Sequence, residues 1–306
     1  MLKFNRVYSL KVEADDGSDT AVPLAQRANK NVEITLPNTI EFTVLRQALG
    51  SSQTATFRIY NLAENVRNAL QKDLSQVQQL RAIQFRCGYE TSTSATLPLV
   101  FNGTVLIALS YREKTDWITE IEAYDGGWQM ANANNVAQTL GPGASAASII
   151  AELARRLLGT SGAPIVGDFP TVNKRGEVLF GNVWSLIQQK SNGLAFIDNG
   201  QVKALNYHEV FIGQVPLLSA ESGLLGSPKR TKTSLEFDLI FEPRLSVGQI
   251  VELRSSSNTQ FNRKWKVMGF EHKGTVSPVT CGESITSVKL WLTDKQLTIV
   301  QGLSAV

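Results

Sequence analysis

Between residues 235 and 293, apolar positions alternate with polar ones. Leu235, Phe237, Leu239 and Phe241 form one series, followed by Leu245 and Val247, then Val251 and Leu253, then Trp265 and Val267. Period-two alternation marks strands with one buried and one wet face. Pro243 and Gly248 interrupt the first run and Gly274 the second, so short antiparallel strands joined by tight turns are expected here.

The N-terminal part has the same character. A strand is expected over residues 2–12, with Phe4, Val7, Tyr8 and Leu10 apolar, and a polar loop over 14–30. Residues 31–47 are expected to form a strand pair broken at Pro37-Asn38. In residues 54–62, Phe57 and Ile59 share one face and Arg58 and Tyr60 the other. Val66, Leu70 and Leu74 then fall at helical spacing, with Asn61 or Asn65 as the expected cap. Strands are expected again from residue 81 to about residue 125, with Asn102-Gly103 as a turn. This region predicts a β-barrel or sandwich carrying one short helix.

The period changes near residue 140. Ile149, Ile150, Leu153 and Leu157 form the apolar face of a helix that Ser145 caps and Gly159 ends. A second helix is expected from Asn182, its cap, to Gly193. Residues 194–205 predict a hairpin turning at Asn199-Gly200. Through Pro216, Ser219 and Gly226 the chain leads into the last β region. The expected division is 1–135, 136–212 and 213–306: a β region, a small α/β unit and a second β region.

Composition narrows the function classes. At 306 residues, two or three domains are expected. The charged fraction of 19% is below the usual figure of about 25%. A net charge of +3 lacks the basic excess of a dedicated nucleic-acid binder. No run approaches the roughly 18 apolar residues of a membrane span, and the N-terminus has no apolar run suited to a signal peptide, so folding in a cytoplasm is expected. Cys87 and Cys281, remote and outside any CxxC, are expected to be free buried thiols; a disulfide between them is the alternative left open.

Candidate chemistry is sparse. Gly141-Pro142-Gly143 is a poor match to a phosphate-binding fingerprint, which needs a third glycine, a preceding strand and an acidic residue about 20 positions on, so it is read as a helix-entry linker. Glu120, Glu122 and Asp125 contain a possible carboxylate pair, but on a strand Glu120 and Glu122 fall on a solvated face opposite Thr119, Ile121 and Ala123. His208 and His272 have no metal-site spacing, no GxSxG motif occurs, and neither histidine can be assigned to a serine. Lys229, Arg230 and Lys232 are read as a solvated basic loop. The tryptophans at 117, 128, 184, 265 and 291 do not interleave with basic residues as on a single-strand-binding surface, and most of them are assigned to core or interface packing. No catalytic, cofactor-binding or metal-ligating residue is assigned.

The order of these segments carries a resemblance. FRIYNLAENVRNAL, FRCGY, LVFNGTV and EIEAYDGG, then WSLIQQ and DNG, then LIFEPRLSVGQIVEL, WKVMGFEHKGT and LWLT together resemble phage baseplate hub proteins, the tube-to-spike adaptors also found in contractile injection devices. The resemblance covers nearly the whole chain and rests on order and spacing, since each motif alone is degenerate. It implies a mainly β fold with an α+β insert: two tail-tube-like β-barrels around a small α/β domain. It also implies a non-enzymatic homotrimer whose six barrels form a pseudo-hexameric ring, joining the tail tube, or a tube initiator, to the central spike among other baseplate proteins, with DNA passing through transiently. Its expected place is the virion tail baseplate, after assembly in the host cytoplasm. In that arrangement Trp265, Phe270 and Trp291 become packing residues and His272 has no catalytic task. A tail-associated cell-wall hydrolase, an oligonucleotide-binding barrel, and the hub of a tailocin or secretion device are the alternatives.

Overall fold

The computed structural model describes residues 5–15, 29–48, 52–73, 80–90, 97–157, 159–160, 162–170, 175–211, 215–279, 282–292 and 296–300. Phe4, Leu74, Cys281, Thr293 and most of the expected 14–30 loop lie outside them. The first region comprises β1 (Arg6–Asp15), β2 (Asn29–Thr35), β3 (Ile40–Gln47), β4 (Gln53–Tyr60), α1 (Glu64–Leu70), β5 (Ala82–Tyr89), β6 (Leu99–Glu113) and β7 (Asp116–Asp125). The middle comprises α2 (Gly127–Ala131), β8 (Asn135–Leu140), α3 (Ala146–Arg156), β9 (Ile165–Val166), β10 (Glu177–Asn182), α4 (Val183–Lys190), β11 (Ala195–Asp198), β12 (Gln201–Ala204) and β13 (Glu209–Phe211). The rest comprises β14 (Leu217–Ser219), β15 (Leu224–Arg230), β16 (Ser234–Ile240), β17 (Ile250–Arg254), β18 (Lys264–Val276), β19 (Ser284–Trp291) and β20 (Thr298–Val300).

The fold is mainly β, as the pattern predicts. The two β regions are not separate closed barrels, however. They share one 13-stranded sheet, ordered β15-β16-β19-β18-β3-β4-β7-β6-β5-β1-β2, with β14 and β17 off that path. The seam is β3 against β18, antiparallel from Gly269↔Gln47 to Val276↔Ile40. β18 is long enough to serve both regions. Its first residues pair with β17, the register against β19 shifts between Val267 and Gly269, and the remainder pairs with both β19 and β3.

Three apolar cores follow. Phe42, Phe57, Phe85 and Phe101 centre the first, with Phe42 and Phe85 rings 5.0 Å apart. Phe241 and Val276, from the last region, also pack there. The second gathers Ile149, Ile150, Leu153 and Leu157 against Trp184 and Ile187. The third gathers Leu235, Phe237, Val251, Leu253, Trp265 and Phe270, and takes Phe196 and Leu205 from the middle of the chain. Full burial of each such side chain contributes about 1.5–3 kcal/mol, so these shared residues couple the parts energetically.

Local signals explain several elements. Ser145 accepts from Ser148 N at 3.1 Å and Asn182 from Ser185 N at 3.0 Å, so both expected caps form. Asn199 (φ 54°) and Gly200 (φ 76°) are both left-handed, the requirement of the tight hairpin turn between β11 and β12.

Other signals resolve differently. Asn102-Gly103 is not a turn but the interior of the 15-residue β6. A Cβ at Gly103 would lie 2.5 Å from Tyr124 O and 2.9 Å from the Phe101 ring, so the glycine serves close strand approach. Gly274 likewise lies inside β18, where a Cβ would sit 2.8 Å from the ring of Phe42, its cross-strand partner. Helix α1 has Ala63 at its N-cap with no side-chain cap; Asn61, at φ 55°, instead accepts from Trp117 N at 3.0 Å. Lys229 and Arg230 end β15 rather than lying in a loop; Lys229 pairs with Glu236 in register, and both cations and Lys232 are exposed. A strand, β8, does precede Gly141-Pro142-Gly143.

Candidate functional site

Neighbouring parts of the chain meet at a buried ionic joint. The alternation of β3 turns Arg46 inward, and its side chain is 1% exposed. Its guanidinium donates to Asp198 Oδ1 and Asn199 Oδ1 at the tip of the β11–β12 hairpin. Asp198 Oδ2 accepts from Lys203 Nζ on β12 at 2.7 Å. Opposite, Asp125 ends β7 and accepts from Gly200 N at 2.9 Å. Gln53, wholly buried and directly across from Asp125, holds Gln47 by both backbone groups and donates to Ile197 O at 3.3 Å.

Two carboxylates in one buried cluster cannot be equally easy to ionise. Burial pushes Asp198 up, but the Lys203 and Arg46 charges outweigh it and hold this carboxyl below its usual range. Burial dominates at Asp125, opposed by Arg46 and reinforced by the Asp198 charge, and raises it to about 7. Among the described residues, Asp125 Oδ2 and Arg46 Nε find no hydrogen-bond partner.

A second joint lies at Glu209. Its carboxylate accepts from Asp168 N and Asn206 N, each at 2.7 Å. Lys266, on β18, donates to Asn206 O at 2.6 Å. His272, on the same strand, is 1% exposed, shares a hydrogen bond between Nδ1 and Thr286 Oγ1 at 2.8 Å, and lies 5.2 Å from the Phe241 ring. Burial, aided by the Arg46 charge, lowers it to about 3.

These groups tie elements together. Glu120 and Glu122 do alternate with buried Ile121 and Ala123. Glu120 accepts from Tyr111 at 2.9 Å, and Arg58 lies among Glu41, Glu113 and Glu120 on the same wet face. The third acid of that trio, Asp125, belongs to the ionic joint instead. His208 lies in the turn before β13 and His272 on β18, and no group of three or more potential metal ligands occurs among the described residues. Cys87 is free and buried. Trp265 and Phe270 are buried, whereas Trp291 stacks on the half-exposed Tyr207, rings 4.8 Å apart.

A family model described as baseplate hub gp41 matches residues 25–275, most of the chain. The chain belongs to the baseplate hub gp41 family. Solved structures share the fold: a tail protein from Neisseria meningitidis MC58 (9% identity, TM-score 0.54, covering 94% of this chain and 96% of that one), and the 43 kDa tail protein of prophage MuSo2 from Shewanella oneidensis (7%, TM-score 0.55, 92% and 96%). A third is an Escherichia coli protein described as a component of the type VI secretion system with structural similarity to the T4 bacteriophage tail proteins gp27 and gp5 (7%, TM-score 0.53, 86% and 76%). No curated protein matches the chain in sequence. The baseplate hub reading of the sequence thus holds at the level of family, and that family is a structural one.

Sequence reasoning missed the ionic joint. Arg46 lies in a strand whose alternation was visible, but inward-facing cations are exceptional. The Asp-Asn-Gly run at 198–200 pointed to a turn and not to what the turn would grip.

Proposed function

We propose that the chain is the non-enzymatic hub of a phage tail baseplate. Three copies form a ring of six β regions that joins a hexameric tail tube, or its initiator, to a trimeric spike. The proposed division is 1–135, 136–212 and 213–306, with the first and last parts as tube-facing units and the middle one as an insert. Other baseplate proteins meet its periphery, and DNA passes through without sequence-specific contact. The hub acts in the virion tail after assembly in the host cytoplasm. The observation that carries this reading is the β3–β18 seam, which fixes two β regions of one chain in a single sheet. A rigid two-region subunit is what three-fold to six-fold matching needs.

The test is native mass measurement followed by electron microscopy of the purified protein, alone and with its tube and spike proteins. Trimers or three-fold rings with a central hole are expected. A chain that stays monomeric with both partners present would overturn the reading. The likeness to the type VI component supports a second reading, the hub of a tailocin or secretion device; particles lacking a DNA-filled head would favour it. Peptidoglycan release abolished by Glu120→Gln would instead establish a cell-wall hydrolase.

A further inference from the structure

Among the described residues, five cations are buried almost completely: Arg46, Lys72, Arg81, Lys203 and Lys266. Arg46 and Lys203 share Asp198. Lys266 has the favourable charge of Glu209 nearby. Arg81 donates to the carbonyls of Leu70 and Gln71 at the end of α1. Lys72 is different. Its side chain donates to Val105 O, and it has no carboxylate partner among the described residues. Its main chain is fixed by two bridges to Ala108, each 2.9 Å. Burial, reinforced by the Arg81 charge, lowers the ammonium to about 8.

Lys72 and Val105 both line a cavity of about 270 Å³. The remaining wall is mostly apolar and includes Leu106, Tyr124, Trp128 and Ala131. Leu106 stands at the irregularity between Val105 and Ile107, which interrupts the β6–β7 ladder. An ammonium has three donors, and Val105 O occupies one. Buried charges are ordinarily paired, and an apolar cavity with one convergent charge is the usual form of a small-ligand site. The volume falls just below the roughly 300 Å³ at which drug-sized pockets begin, so the occupant must be compact.

We propose that this cavity binds a small carboxylic acid with an aromatic or aliphatic body, its carboxylate paired with Lys72 and its apolar part against Trp128 and Leu106. The site is independent of the hub assembly proposed above.

The test uses 3-phenylpropionate and its neutral amide, 3-phenylpropanamide, titrated into the full chain by calorimetry and saturation-transfer NMR. The acid should bind saturably, with the amide at least about tenfold weaker, a difference of about 1.4 kcal/mol. Lys72→Met, which keeps the aliphatic stem, should erase that preference. Leu106→Trp, which fills the cavity and leaves Lys72 in place, should block both probes and keeps the proposal testable should Lys72→Met fold poorly. Equal binding of acid and amide, no saturable binding of the acid, or acid binding unchanged by Leu106→Trp would overturn it.

Discussion

Arg46 on β3 and Asp198 on β11 form an ion pair whose two side chains are each 1% exposed, although 152 positions separate them in sequence. The pair stands beside the β3–β18 seam, because Arg46 is in register with Phe270. Arg46 therefore links three parts of the fold: it belongs to the first β region, its guanidinium grips the hairpin of the α/β unit, and its strand pairs with β18 of the last region.

Breaking that pair should be costly. Arg46→Met leaves Asp198 with Lys203 alone and removes the donor to Asn199. Loss of one partner of a buried pair costs about 3–5 kcal/mol, to be read from urea unfolding. The double variant Arg46→Met/Asp198→Asn should lose less than the sum of the two singles, since each single leaves the charge of the other partner buried without its counter-ion. Strict additivity would show that the two residues do not work as a unit.

Asp125 carries the opposite sign. Its carboxyl is raised to about 7 in the folded protein, against about 3.9 when unfolded. Its contribution is therefore full below about pH 4 and is lost as pH rises through about 7. Asp125→Asn keeps an oxygen to accept from Gly200 N and cannot ionise. It should raise the melting temperature at pH 8 relative to the native chain, and the difference should shrink as pH falls toward 5. A variant less stable than the native chain at pH 8 would refute the argument.

His272 predicts an acid limit. Its folded value of about 3 lies below the unfolded value of about 6.5. The neutral ring's contribution is present above about pH 6.5 and lost as pH falls toward 3, with a slope of at most about 1.4 kcal/mol per pH unit. His272→Asn preserves a partner for Thr286 and removes the titration. Its stability between pH 6.5 and 4 should be the flatter of the two curves by up to one proton. Parallel curves would place the acid sensitivity elsewhere.

Much of this fold could be read from the chain because the signals were local. Ser145 and Asn182 cap helices through side chains three residues from their targets, and Asn199-Gly200 turns the chain through two adjacent left-handed residues, although the same pair at 102–103 lies inside a strand. The β3–β18 seam joins residues 40–47 to 269–276, and no local pattern chooses that pairing over closure of each region on itself. Arg46, Asp198 and Lys72 were invisible for a related reason. Each is buried by contacts from distant segments, and sequence alone assigns a cation or a carboxylate to the surface by default.

Gly103 and Gly274 were read as turn residues, and their true role can be measured. Both lie inside strands with a phenylalanine ring against the position a Cβ would occupy. At Gly103 the nearest atom is a backbone oxygen, Tyr124 O at 2.5 Å, which cannot move without disturbing the β6–β7 ladder. At Gly274 the nearest atom, also at 2.5 Å, is Ser284 Oγ, which can rotate away. Overpacking a core typically costs about 1–3 kcal/mol. Gly103→Ala should fall at or above the top of that range and Gly274→Ala nearer the bottom, both measured by urea unfolding. Turn glycines would behave otherwise, with a cost set by backbone conformation and unrelated to the neighbouring ring. Combining each substitution with truncation of its ring, Phe101→Leu or Phe42→Leu, separates the two accounts: relief at Gly274 and little at Gly103 follows from the contacts, and no relief at either position would contradict them.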